Sequence, residues 1–463
     1  MSQSNKSKPK SSRRPRQQLL EVVHPHAGGI DIGSRSHYVA VPAGRDPQPV
    51  RAFGCTTPDL EQMVLWLKSC NVTTVAMEAT GVYWVCPAQV LEEAGIDVYL
   101  VDARHAKGIP GRKTDVQDCQ WLQQLHSFGL LSRAFLPDQS IRPIRSLWRH
   151  RRELIQHGAE AIQIMQKSME QMNLQLHKVI SDISGVTGMR ILRAILEGKQ
   201  DPQYLVKLVH PTCKRPPEDF VKALTGHYKV DQLFILRQSM EAYDFLHRQL
   251  LACEEQIQGM LRALPPKADS DVLAQVPART RPRKSLRNQP NFDLRSDLFA
   301  ITGVDLTQID GIDAVTAFTV ISEQGIDMSR FPTEKHFASH LGLCPNHKIT
   351  GGRIRKRATR KVSSRAATAL RVAAQSLRKS QSPNGARFRM LHARLGPQKA
   401  ITAMAHHLAK LIYRLVKNGE QYLKQTIEEY EEKHRAQQLK YLAGKARKLG
   451  IELLDPDTGE VFS

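Results

Sequence analysis

The sequence predicts an α/β N-terminal domain followed by a helical region and a mainly α C-terminal domain. Three observations carry this. Short apolar runs alternate with amphipathic stretches over residues 26 to 133. Two long segments then repeat apolar residues in steps of three and four. Finally, residues 335 to 419 combine helical apolar spacing with a complete lack of aspartate and glutamate.

Taken in order, GGIDIG and HYVAVPA read as a hairpin, PDLEQMVLWLKSC as a helix and TTVAMEAT as a strand. GVYWVCPAQVLEEAGI reads as a helix, DVYLVDA as a strand and TDVQDCQWLQQLHSFGLL as a helix opened by Thr114. Met165, Met169, Met172, Leu176 and Val179 form one seam, and Leu233, Leu236, Met240 and Tyr243 another, resumed from Leu250 to Leu264. That spacing suits an antiparallel coiled-coil arm or an oligomer contact, with the methionines as core. QIDGIDAVTAFTVISEQG reads as a helix, a glycine turn and a second helix, a helix-hairpin-helix arrangement that would offer backbone N–H groups to a DNA phosphate. The boundaries are a disordered basic tail (1–25), the α/β domain (26–140), the helical region (141–264) with a basic insert (181–229), a Pro/Arg-rich linker (265–294), the C-terminal domain (295–420) and a mixed-charge helical tail (421–463).

A chain of 463 residues can bury two or three cores, and a formal net charge of +22 calls for a polyanionic partner, nucleic acid first. Seven cysteines with no CxxC pair give neither a zinc module nor a disulfide framework, which fits a reducing cytoplasm. No apolar run is long enough to span a membrane. The acid-free segment from Lys335 to Gly419 is densest in base around KITGGRIRKRATRKVSSR, which it cannot neutralise by internal ion pairs. Phosphate contact is therefore expected there, from Arg353, Arg355, Lys356, Arg357, Arg360, Lys361 and Arg365.

Against this basic background four acids stand out: Asp31 in GGIDIGS, Glu78 in AMEATG, and Asp115 and Asp118 in GRKTDVQD. The first two end apolar strand runs, where an unpaired carboxylate costs roughly several kcal/mol. The other two lie three apart at a helix start and project from one face. Taken singly, each suits a surface position or a helix cap. Converging carboxylates suit a hard divalent cation, Mg²⁺ or Mn²⁺, and metal-assisted phosphodiester chemistry.

The order GIDIGS, MEATGVYW, KTDVQDCQWL is similar to a RuvC-like, ribonuclease-H-fold site. Followed by a helical arm, IDGIDAVTAFTVISEQG, LGLCPNHKITGG and ATALRVAAQSL, it resembles the DEDD transposases of the insertion-sequence one-ten family, from Gly28 to about Lys417. The basic insert and SRAATALRVAAQSL look like the eleven-eleven branch. The resemblance implies a bacterial cytoplasmic recombinase acting on donor and target DNA, directed by an element-encoded structured guide RNA and working as a dimer or tetramer. It also implies that Asp31, Glu78, Asp115 and Asp118 ligate the metal. A hydroxyl in the C-terminal domain, usually a serine, would form a covalent protein-DNA intermediate in a composite site. The equivalent position here is Thr359, with Ser363 and Ser364 as neighbouring alternatives. The competing expectation is a Holliday-junction-type nuclease that uses the same acids to activate water. A third is a nucleic-acid binder whose acids are structural.

Overall fold

The computed structural model describes residues 21–79, 81–101, 114–268, 288–360, 362, 364–419 and 441–451, with positions 432, 435, 436, 438, 439 and 454. The predicted basic tail up to residue 20, most of the linker and most of the mixed-charge tail lie outside them. The chain divides into two compact units, the first ending at Leu136 and the second beginning at Pro137.

The first unit is a mixed sheet with helices on both faces. Its elements are β1 (Ala27–Ile32), β2 (Ser36–Ala40), β3 (Val50–Gly54), α1 (Thr57–Ser69), β4 (Thr74–Glu78), α2 (Val85–Glu93), β5 (Asp97–Val101) and α3 (Asp115–Ser127). The order across the sheet is β3-β2-β1-β4-β5, antiparallel on the β2 side of β1 and parallel on the β4 side. This arrangement is compatible with a RuvC-like fold. Strand β3, VRAFG, is a sheet edge whose weak apolar alternation gave no strand signal in the sequence.

Strand alternation divides this unit into two layers. Ile30, Ile32, Val75, Met77, Val98 and Leu100 face one way and bury against α1 and α2, through residues such as Leu60, Met63 and Leu91. On the opposite face Ala76 and Val101 pack with Leu122 of α3 and Leu131. Helix α1 starts where the sequence provides a capping box, the Thr56 and Asp59 side chains and backbones satisfying each other, with proline in its first turn.

The second unit opens with two long helices, α4 (Ile141–Gln171) and, after a short α5 (Leu176–Val179), α6 (Val186–Leu196), α7 (Pro202–Val206) and α8 (Pro217–Leu224), the long α9 (Val230–Arg262). Early α4 meets late α9, the Cys253 thiol approaching the Leu147 carbonyl at 3.6 Å. Late α4 meets early α9, with Met165 and Met169 in one core with Leu236 and Met240. The pair is therefore antiparallel. A buried Arg151 joins the helices, donating to Glu254 and to the Asn288 carbonyl, both at 2.8 Å. The insert expected over 181–229 is folded onto this core, burying Ile191, Leu192, Phe220 and Leu224 against the methionine seam.

The remaining elements are α10 (Leu294–Thr302), α11 (Ala314–Gln324), α12 (Glu334–His340), β6 (Pro345–Thr350), β7 (Arg353–Thr359), α13 (Arg365–Ser376), α14 (Pro383–Leu395) and α15 (Pro397–Asn418). The helical region and the C-terminal part, expected to be separate domains, share one unit because specific side chains tie them. Trp148 of α4 donates to Thr319 of α11 at 3.0 Å and meets Phe318 edge-on, and Gln258 of α9 donates to Asp297 of α10 at 3.1 Å.

Two further differences concern this half. The glycine turn expected between two helices is preceded by a single 3-10 turn at Leu306–Gln308, not an α-helix. Its Gly311 has φ of +89°, and an added Cβ would lie 2.9 Å from Leu377, so the turn is seated against the end of α13. The basic segment, for which no strand was expected, contains the β6/β7 hairpin. Consecutive Gly351 and Gly352, with φ of +57° and +73°, form a two-residue turn of the primed type that matches strand twist, closed by the Thr350 and Arg353 pair. No helix among the described residues is long and apolar enough to cross a membrane.

Candidate active site

The four acids lie on the α3 side of the first sheet, three of them within electrostatic reach of Asp31. β1 and β4 run parallel with Ile30 beside Met77, so Asp31 and Glu78 each stand one residue past that pair, on the same face at the strand ends. This is the face of Gly29 and Ala76, over which α3 lies. Asp115 and Asp118 occupy the first turn of α3, which Thr114 caps by accepting from the Gln117 N–H.

Helix α3 is fixed against the sheet at three levels. At its C-terminal end His126 is buried, hydrogen-bonds Thr74 at 2.9 Å, and packs at a tilt against both His24 and Tyr99, with ring centroids 4.9 and 4.8 Å away. Burial pushes the His126 imidazole down to about 4, so its ring is neutral in the fold. In the middle Gln123 donates to the Ala27 carbonyl at 3.3 Å. Above it Gly29 admits the helix backbone directly. A Cβ on Gly29 would sit 2.3 Å from the Cys119 carbonyl oxygen and 2.3 Å from the Gln123 nitrogen. The absence of a side chain there sets how closely Asp115 and Asp118 approach Asp31.

The electrostatics follow from this approach. Asp31, half-buried, has its carboxyl pushed up to about 6, first by burial and then by the negative charges of Asp115, Asp118 and Glu78. The neighbouring Cys119 thiol, fully buried, is pushed up to about 12 by burial and then by Asp31. Asp115 and Asp118 also suit the positive end of the α3 dipole, which accounts for acids in a first turn but not for their convergence on Asp31.

The donor set therefore fits a divalent cation in chemistry: hard oxygen ligands, on the same sheet face and the helix packed against it, with the other three acids close enough to raise the Asp31 carboxyl. Among the described residues no three His, Cys, Asp or Glu side chains stand in metal-ligating geometry.

In the second unit Thr359 ends β7 opposite Pro345 and is half-buried. Arg353 and Arg355 are exposed, and a register shift opposite Lys348 and Ile349 interrupts the strand alternation between them and Thr359. Arg360 is exposed and donates to the Ser339 carbonyl at 2.7 Å. Ser364 is the N-cap of α13, its hydroxyl accepting from the Ala367 N–H at 3.2 Å. Arg365, next along, is half-buried. Lys361 and Ser363 lie outside the described residues, as do the side chains of Lys356 and Arg357.

Sequence reasoning missed Gly29 and His126 as site-building residues. A glycine doublet ahead of an acid on a strand that packs beneath a helix was the available signal for Gly29.

Two family models match this chain. Residues 28–174 match the DEDD_Tnp_IS110 family, described as transposase. Residues 305–389 match the Transposase IS116/IS110/IS902 family. Together they span half of the chain, and the first contains all four acids. No curated protein matches it.

Proposed function

We propose that this chain, which belongs to the IS110 family of insertion-sequence transposases and is a DNA transposase or recombinase, cuts and rejoins DNA through the carboxylates of its first unit and a hydroxyl of its second. The family implies DNA substrates and a divalent metal, typically Mg²⁺. Asp31, Glu78, Asp115 and Asp118 are the residues that would hold it. The single observation supporting this assignment is the Asp31 carboxyl, raised to about 6 in part by the other three acids. A bound divalent cation neutralises charge on a phosphodiester as its bond is exchanged.

The remaining work falls to the protein. Thr359 is the nucleophile, its hydroxyl oxygen forming a phosphoester while the displaced strand end leaves as a free hydroxyl. Its β-methyl group restricts χ1, which fixes the hydroxyl's direction. Ser364 is the weaker alternative because its oxygen already caps α13. Arg353, Arg355 and Arg360 flank the hydroxyl in sequence and offset phosphate charge. Lys356, Arg357, Lys361 and Arg365 extend the same basic segment, and Ser363 is the other alternative hydroxyl. Direction by an element-encoded guide RNA, membership of the eleven-eleven branch, contact with DNA through the glycine turn at Gly311, and a dimer or tetramer assembled through the α4/α9 arm complete the reading.

The experiment is to trap protein-linked DNA on a denaturing gel. Wild type and Thr359→Ser form the adduct, while Thr359→Ala and EDTA-treated wild type form none. DNA mapped by mass spectrometry to Ser363 or Ser364 would move the nucleophile. Cleavage with no adduct at any time point would replace it with activated water.

A further inference from the structure

The second unit carries a concentration of arginine that the basic segment does not include. Arg142, Arg145, Arg149 and Arg152 follow one another along α4 at steps of three, four and three, so they form one stripe. The neighbouring Arg151 points the other way and is consumed by Glu254. The stripe does not lie free along the helix. Arg149 donates to both oxygens of Glu323 on α11, at 2.8 and 2.5 Å, and Arg145 lies 4.0 Å from the same carboxylate.

Helix α11 packs in turn on α13, whose first residue is Arg365. Arg365 lies within electrostatic reach of Arg149 and Arg152, and Arg145 of Arg142, Arg149 and Arg365. Among the described residues, Glu323 and Glu153 oppose them. Arg142 donates to the Pro137 carbonyl at 3.0 Å; the other four guanidinium groups face two carboxylates, an excess of two positive charges. Burial and then mutual repulsion hold Arg145 and Arg365 below the ordinary guanidinium range, although both remain charged.

Satisfying one buried glutamate needs a single arginine. Bringing Arg145 and Arg365 to the carboxylate that Arg149 already holds, with Arg152 beside Arg365, is unfavourable for the isolated protein and becomes favourable when a polyanion enters, each planar guanidinium offering paired donors to phosphate oxygens. The location selects the anion. Arg365 directly follows Ser363 and Ser364 and is six residues beyond Thr359. The phosphate that must reach that segment belongs to the DNA strand being exchanged. We propose that the α4 arginine stripe together with Arg365 clamps the backbone of that DNA strand beside the segment joining β7 to α13.

This proposal rests on the transposase reading, and its test separates the two. Full-length protein is titrated with a fluorescent duplex DNA oligonucleotide, and separately with RNA of the same sequence, over a range of salt concentrations without divalent metal. The variants avoid Arg149, which neutralises Glu323. Arg152→Ala with Arg365→Ala should reduce the slope of log K against log salt on DNA by about 0.9 for each phosphate that is no longer neutralised, so by nearly two. The paired lysine variant should restore the slope. An unchanged DNA slope in the double alanine variant overturns the proposal. So does a reduced slope on RNA alone, which would assign the clamp to RNA. If the double variant does not fold, as judged by circular dichroism, Arg152→Glu on the exposed face serves instead and should weaken DNA binding at least about tenfold at low salt. Wild-type binding that is itself insensitive to salt would overturn the transposase reading along with the clamp.

Discussion

The two units place their functional groups on opposite kinds of support. In the first, the acids sit at the ends of central strands and on a helix whose backbone touches the sheet at Gly29. In the second, the basic groups and the hydroxyl lie on a two-stranded hairpin, the segment after it and the faces of long helices. The difference matches the chemistry assigned to each. Carboxylates that share a cation must be held to a fraction of an ångström. Arginines that follow a phosphate backbone need charge, reach and number, and tolerate looser placement.

The largest effect expected from breaking the rigid side is at Gly29. Gly29→Ala pushes a methyl group into the α3 backbone, which has no rotamer by which to yield. Overpacking of this kind costs about 1–3 kcal/mol, and displacing Asp115 and Asp118 by roughly 1 Å should lower strand cleavage on the order of 10²-fold. Gly28→Ala is the internal comparison, because its Cβ faces the Val75 and Val72 side chains at 3.1 and 3.3 Å and the Ala40 carbonyl at 3.4 Å. It should show a smaller loss of stability in thermal denaturation and near-normal cleavage by folded protein. Equal loss of cleavage in both would show that helix approach does not control the acids.

A smaller effect should follow from His126 at the other end of α3. Its folded-state pKa is depressed from 6.5 to about 4, so the unfolded chain binds the proton more readily. The stability this provides is fully present above pH 6.5 and is lost as pH falls toward 4, up to roughly 3 kcal/mol. Urea midpoints measured across that range should fall in wild type and fall less in His126→Gln. Parallel pH profiles would place the acid-sensitive group elsewhere.

The smallest effect is expected on the looser side. Ser364→Ala removes a helix cap and should cost about 1 kcal/mol in denaturant titration while leaving adduct formation intact. Loss of the adduct in folded Ser364→Ala protein would make that serine more than a cap.

The same contrast decides what was legible in the sequence. The strands of the first unit announce themselves because Ile30, Val75, Met77, Val98 and Leu100 are buried, and an acid at the end of such a run has few structural explanations. What brought those acids together was not legible, since it depends on a missing side chain at Gly29 and on contacts between residues distant in sequence. In the second unit the helices α13 and α15 follow from alanine and leucine spacing. The β6/β7 hairpin was hidden because its strands are dominated by polar and basic residues, although its Gly-Gly turn was in view. The arginine stripe on α4 gives no signal of its own because the same stretch reads as an ordinary amphipathic helix. Its meaning appears only when Arg365, more than two hundred residues away in sequence, is found beside it.

The central claim is that four acids spread over the first unit act as one cation site. Titration of the full-length protein with Mn²⁺, followed by the loss of the free-ion electron paramagnetic resonance signal, tests it without requiring activity. Wild type should bind Mn²⁺, and Asp31→Asn, Glu78→Gln and Asp118→Asn should each weaken binding at least about tenfold while the protein remains folded. Wild-type Mn²⁺ affinity in Asp31→Asn would contradict the claim.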